Sequence, residues 1–158
     1  MEFGFSYVGL VYLLMLFLPN LLWTRCRPAG YEAAGQENRV LLVLERAGEV
    51  LTTCSVLVFR DFNLRPCSLW SLWLAASFVA MLLYEGFWIR YFHSARQMED
   101  FYAPLLGIPM AGAVLPVAAF GLLAVYGRNP VLLTSASILG IGHIGIHLGH
   151  RRALKAGI

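Results

Sequence analysis

Five apolar runs, each close to the length of one bilayer crossing, constrain this chain more than any other feature. They cover roughly Gly4–Trp23, Val40–Phe59, Leu69–Phe92, Tyr102–Tyr126 and Pro130–His150. About 20 apolar residues suffice for a helix to span the hydrocarbon core. Of the 158 residues, 59% are hydrophobic and only 13% charged, against about 25% charged in a soluble domain. The connections are too short to hold a second domain. The expectation is a single all-α domain over residues 1–158: an integral membrane bundle of five transmembrane helices, multi-pass in the cell membrane.

Charge placement orients that bundle. Arg25, Arg27, Arg39, Arg90, Arg96, Arg151, Arg152 and Lys155 fall in connections or ends on one side, and only Arg60, Arg65 and Arg128 on the other. Basic residues in short loops favour the cytoplasmic face, so the N-terminus is expected outside and the C-terminus in the cytoplasm. The opening MEFGFSYVGLVYLLMLFLPN has no Lys or Arg ahead of its apolar stretch and no small-x-small cleavage site. It reads as a retained helix rather than a signal peptide. The net charge of +3 is scattered over loops without a basic stripe, which argues against a nucleic-acid partner. Cys26, Cys54 and Cys67 form no CxxC and read as three unpaired thiols.

Against this apolar background a few polar residues stand out. The second run contains Glu45, Arg46 and Glu49 well inside its boundaries. Charges at membrane depth cost at least about 2.5 kcal/mol each and are usually paired and functional. Glu45 and Glu49 share one helix face, continued by Thr52, and Arg46 is spaced to pair with Glu49. The third run adds Glu85, about a turn and a half from Arg90, on an expected inward stripe with Ser77, Met81, Tyr84 and Trp88. The last run adds His143, His147 and His150 at i, i+4 and i+7. Of these, His150 adjoins Arg151 and Arg152 and reads as a headgroup-level residue, and His93 as a loop residue. Gly142, Gly145 and Gly149 lie on another face and suit close helix packing.

With the expected orientation, Glu45, Glu49, Tyr84, Glu85, His143 and His147 all fall in the cytoplasmic half. Asn20 and the Pro104–Pro109 part of the fourth run belong to the same layer. That coincidence predicts one cytoplasm-facing polar cavity. Prolines 104, 109 and 116 predict kinks in the fourth helix.

Several chemistries fit such a cavity. His143, His147, Glu45 and Glu49 are the donor types that hold a divalent metal. A proton or ion pathway needs groups that titrate near neutral pH, as histidine does. An organic cation could meet Trp88, Tyr84 and Phe87. The leading expectation is binding or transfer of a small ligand or ion in a transport or permeation role, with Glu45, Glu49, Glu85, His143 and His147 as ligating or titrating groups and Arg46 as counter-charge. The alternatives are a membrane-embedded enzyme doing acid–base or metal-assisted chemistry on a lipophilic substrate, and an accessory subunit whose charges serve only structural specificity. A bundle of this size can also dimerise, although the sequence marks no interface. No nucleophile motif, phosphate loop or nucleotide fingerprint is present.

FGFSYVGLVYLLMLFLPNLLW, LERAGEVL, YEGFWIRYF, DFYAPLLGIPMAGAVLPV and LGIGHIGIHLGH together resemble a family of small bacterial polytopic membrane proteins. The resemblance covers most of the chain and implies a bacterial inner or plasma membrane. It carries no activity over to these residues.

Overall fold

The computed structural model describes residues 1–28, 31 and 37–156. Among these are six α-helices and no sheet: α1 Tyr7–Trp23, α2 Arg39–Val58, α3 Ser71–His93, α4 Met98–Tyr102, α5 Ala111–Gly127 and α6 Pro130–Ala156. Two of them, α3 and α6, are long and apolar enough to cross a membrane. Helices α1 and α5 are as apolar but shorter. Helix α2 has the length, but Arg39, Glu45, Arg46 and Glu49 interrupt it.

Each start has a local cause. The Ser6 side chain accepts from Gly9 N at 2.9 Å to open α1, and Asn38 accepts from Val40 N at 2.8 Å to open α2. Both satisfy amides that a helix leaves orphaned in its first turn. Asn129 does the same for α6, accepting from Leu132 N at 3.0 Å, with Pro130 following where its missing N–H costs nothing.

One end of the bundle is tied by the N-terminal segment. Gly4 N donates to Val58 O and Arg60 N to Glu2 O, which pairs Phe3 with Phe59. The buried Asp61 carboxylate then accepts from Glu2 N and from Asn129 Nδ2, at 3.0 and 3.1 Å. The N-terminal segment, the start of α6 and the turn after α2 thus meet around one carboxylate. Arg60, Arg65 and Arg128 gather at this end.

The helices form a ring in the order α1, α3, α5, α6, α2 and back to α1. Packing is closest between α2 and α6, where glycine removes the side chains that would hold the backbones apart. A Cβ on Gly48 would collide with the Leu139 backbone, and one on Gly142 with the Glu45 backbone. Helix α1 touches α2 at Gly9, against the Val56 carbonyl, and α3 through a Tyr12–Ser77 hydroxyl pair at 3.0 Å. Outward, α1, α2, α3 and α6 expose large apolar side chains, among them Leu14, Leu18, Val43, Val79, Leu82 and Ile141.

The helix expected over 102–126 is instead broken. Helix α4 ends at Tyr102, and α5 starts only at Ala111. Pro104, Gly107 and Pro109 punctuate the gap, and a residue preceding proline avoids the helical region; Ala103 is accordingly extended, with ψ 138°. Leu105 and Ile108 exchange backbone hydrogen bonds across Leu106 and Gly107, both at positive φ, a tight turn of the mirror-image kind. Arg90 pins the segment by donating to Pro104 O at 2.7 Å and Ala103 O at 2.9 Å. Arg90 therefore serves these carbonyls and not Glu85.

Candidate functional site

The ring encloses a cavity of about 760 Å³, within the usual size of a small-molecule site. Helices α1, α2, α3, α5 and α6 all contribute to its wall, through Asn20, Glu45, Tyr84, Pro116 and His143 among others. Phe101 of α4 closes over one end. Its ring lies 5.1–6.1 Å from those of Trp23, Tyr31, Phe87, Trp88, Tyr91, Tyr102 and His147, most of them edge-on or tilted as aromatic quadrupoles favour.

The centre of the wall is a pair between helices. Because Gly142 lets α6 lie directly on α2, the His143 imidazole reaches the Glu45 carboxylate, Nδ1 to Oε1, at 2.6 Å. From His143 a column of imidazoles descends one face of α6. His147 follows at 4.6 Å between ring centroids and His150 at a further 6.2 Å. The Tyr102 hydroxyl stands 3.0 Å from His147 Nδ1. Below, His150 Nε2 lies 3.7 Å from the Glu37 carboxylate, while Tyr31 packs edge-on against the His150 ring at 5.3 Å. Burial pushes the Tyr31 phenol up to about 12; Glu37 and Glu45 add to the shift and Arg27 opposes it.

His150 is covered by protein. It is 5% exposed and lies inside α6 rather than at its end, because α6 runs on to Ala156 and the Tyr31 ring covers the imidazole.

The other residues singled out from the sequence divide. Asn20 donates to the Tyr84 hydroxyl at 2.8 Å inside the cavity, and Trp88 lines it too. Arg46 does bond Glu49, at 3.0 Å, but the pair sits at the rim, with side chains 70% and 45% exposed. Glu85 is not among the lining residues. Its Oε1 is buried on α3 without a hydrogen-bond partner among the described residues. A shared layer does not imply a shared face, and rotation of α3 aims Tyr84 and Trp88 inward instead. The Pro104–Pro109 segment lies outside the lining as well.

Metal chemistry was open on donor type alone. Among the described residues no three His, Cys, Asp or Glu side chains converge on a point that could hold an ion. His143 Nδ1 is already engaged by Glu45, and Glu49 turns to Arg46. The expected set of His143, His147, Glu45 and Glu49 does not assemble.

Sequence reasoning passed over Tyr31, Glu37, Phe101 and Tyr102. Tyr31 and Glu37 lie in the connection before α2, and Phe101 and Tyr102 on α4, which with 5 residues is too short to carry a periodic signal. Thr52 was legible as the continuation of the Glu45 face, and it belongs to the cavity wall with its hydroxyl buried. Trp23 and Trp88 are in the wall as well, their indoles beside the Tyr91 and Tyr84 hydroxyls.

No family model, curated protein or solved structure matches this chain.

Proposed function

We propose that the protein is a multi-pass membrane protein, N-terminus outside and C-terminus in the cytoplasm. In this reading its ring of five helices binds and passes a small ligand or ion, and the α6 histidine column moves protons to and from the cavity. The membrane reading is supported by the apolar side chains exposed around four of the helices, more than a soluble monomer normally shows. It is supported again by α3 and α6, which are long enough to span. The short helices α1 and α5, 17 residues each, come to about 25 Å. A bilayer accommodates that mismatch by thinning or by side chains that snorkel.

The observation that carries the functional reading is the Glu45–His143 hydrogen bond in the cavity wall. A pair kept only for helix register would be complete in itself. This one heads a column in which the His147 and His150 rings follow at 4.6 and 6.2 Å and Glu37 lies beside His150, titratable side chains placed from the cavity to the end of the bundle.

Flux into proteoliposomes loaded with a pH-sensitive dye tests it. Under an imposed pH gradient with potassium and valinomycin clamping the potential, wild-type vesicles should equilibrate faster than protein-free ones. Glu45→Gln and His143→Ala should return the rate to that of the empty vesicle. Equal rates for wild-type and empty vesicles would dismiss the proton-moving role.

A further inference from the structure

The lining of the cavity is uneven in exposure, and the unevenness has a direction. Where α3, α5 and α6 form the wall, the lining side chains Tyr84, Trp88, Phe120 and His147 are buried. Where α1 faces α2, the lining residues Phe17, Thr24, Arg46, Val50 and Cys54 are exposed. Beyond the Gly9–Val56 contact the two helices part, and the cavity opens sideways along the seam between them. From Leu42 to Cys54 this slot follows about 18 Å of helix.

Polarity is graded along the slot. Toward the α4 end it meets Trp23, Arg27, Glu37, Trp88 and His147; toward the other end it meets Leu16, Phe17, Val50, Pro116, Val117 and Phe120. The indole N–H groups of Trp23 and Trp88 can only donate, and they stand beside the Tyr91 and Tyr84 hydroxyls at the polar end of the slot.

The geometry points to an acyl-chain amphiphile as the occupant, entering from the bilayer through the α1–α2 seam. Its chain lies along Phe17, Val50 and Phe120, and its carboxyl or ester head lies at the polar end, toward Trp23, Trp88 and His147. This names the ligand class of the cavity proposed above and rests on that membrane reading. A water-soluble solute would need no sideways slot. A simple ion would leave the apolar half of the slot empty.

Two single-tryptophan variants test it in vesicles. One keeps Trp88 (W23F/W70F/W73F) and the other keeps Trp73 (W23F/W70F/W88F). Trp73 is 39% exposed on the outer face of α3, whereas Trp88 is 4% exposed, so bulk lipid reaches only Trp73. The vesicles carry either a phospholipid brominated on its acyl chains or a brominated fatty acid, since bromine quenches indole only near contact. Trp88 should be quenched as strongly as Trp73. Thr52→Phe, which fills the slot, should relieve Trp88 and leave Trp73 unchanged.

Quenching by the phospholipid, or by the fatty acid alone, supports the proposal and identifies the source of the chain. Trp73 quenched with Trp88 untouched by either probe overturns the proposal and leaves the membrane reading intact. Neither residue quenched overturns both. Native mass spectrometry of the unmodified protein supplies an independent readout. A retained acyl-chain molecule per protein supports the assignment, and only the bare chain after extraction in mild detergent contradicts it.

Discussion

At the residue scale the Glu45–His143 contact is the most informative bond in the molecule. Both side chains are mostly buried, 13% and 25% exposed, so removing either leaves the other without its partner in a poorly solvated wall. His143→Ala should cost about 1–3 kcal/mol of stability. Glu45→Gln with His143→Ala should cost less than the sum of the single changes, as a double-mutant cycle in detergent would show. Tyr31 provides a test with a definite sign. Its phenol is raised from 10.0 to about 12, so the folded state holds that proton longer than the unfolded chain does. The associated stability is complete below pH 10 and is lost as pH rises through about 12. Unfolding followed across that window should steepen with pH in the wild type, and Tyr31→Phe should flatten it.

At the element scale, two devices position the site. The first is the pair of glycines that seats α2 on α6. Gly142→Ala adds a methyl group where the Glu45 backbone already lies. The gain in helix propensity, near 1 kcal/mol, is opposed by overpacking of about 1–3 kcal/mol. The expected outcome is net destabilisation together with loss of the Glu45–His143 coupling, read by repeating the mutant cycle in that background. The second device is Arg90, whose guanidinium holds the Ala103 and Pro104 carbonyls and so keeps Phe101 over the end of the cavity. Lysine lacks the planar fork that serves two acceptors at once. Arg90→Lys should lower stability by about 1.5–3 kcal/mol, the worth of one hydrogen bond to a charged group. It should also open the 103–110 segment to proteolysis, and limited digestion would locate the new cut.

On the scale of the whole molecule, the basic residues separate between the two ends of the ring. Arg60, Arg65 and Arg128 sit with the N-terminal tie, and Arg90 and Arg96 sit where α3 ends. The three cysteines lie along the same axis and report orientation directly. Cys67 belongs to the end that holds Arg65, Cys54 to the C-terminal part of α2 (Arg39–Val58), and Cys26 to the end beyond α1, where its carbonyl accepts from the Tyr91 hydroxyl at 2.8 Å. All three are free thiols. If the positive-inside bias sets the topology, a membrane-impermeant maleimide applied to intact cells should label Cys67 and spare Cys26 until the membrane is permeabilised. The reverse pattern would invert the proposed orientation and put the aromatic closure on the outer face.

What could be read without coordinates was local and periodic. Apolarity placed the helical segments, because burying backbone hydrogen bonds in an apolar environment favours helix. Helical spacing, i+3, i+4 and i+7, put the histidines on one face of α6 and Glu45 in line with Thr52 on α2. The spacing of Arg46 to Glu49 also anticipated their contact. The tertiary structure decided which faces meet. Helix rotation turned Tyr84 inward and left Glu85 aside, although the two are neighbours in sequence. Glycine contacts between α2 and α6 chose His143 as the partner of Glu45, a pairing across 98 residues that no spacing encodes. The break after Tyr102 could have been anticipated from Pro104, Gly107 and Pro109, but its consequence, an aromatic residue folded over the cavity, required the position of Arg90. Helix formation depends on neighbours in the chain, whereas a site depends on neighbours in space, and these are selected only when whole helix surfaces pack.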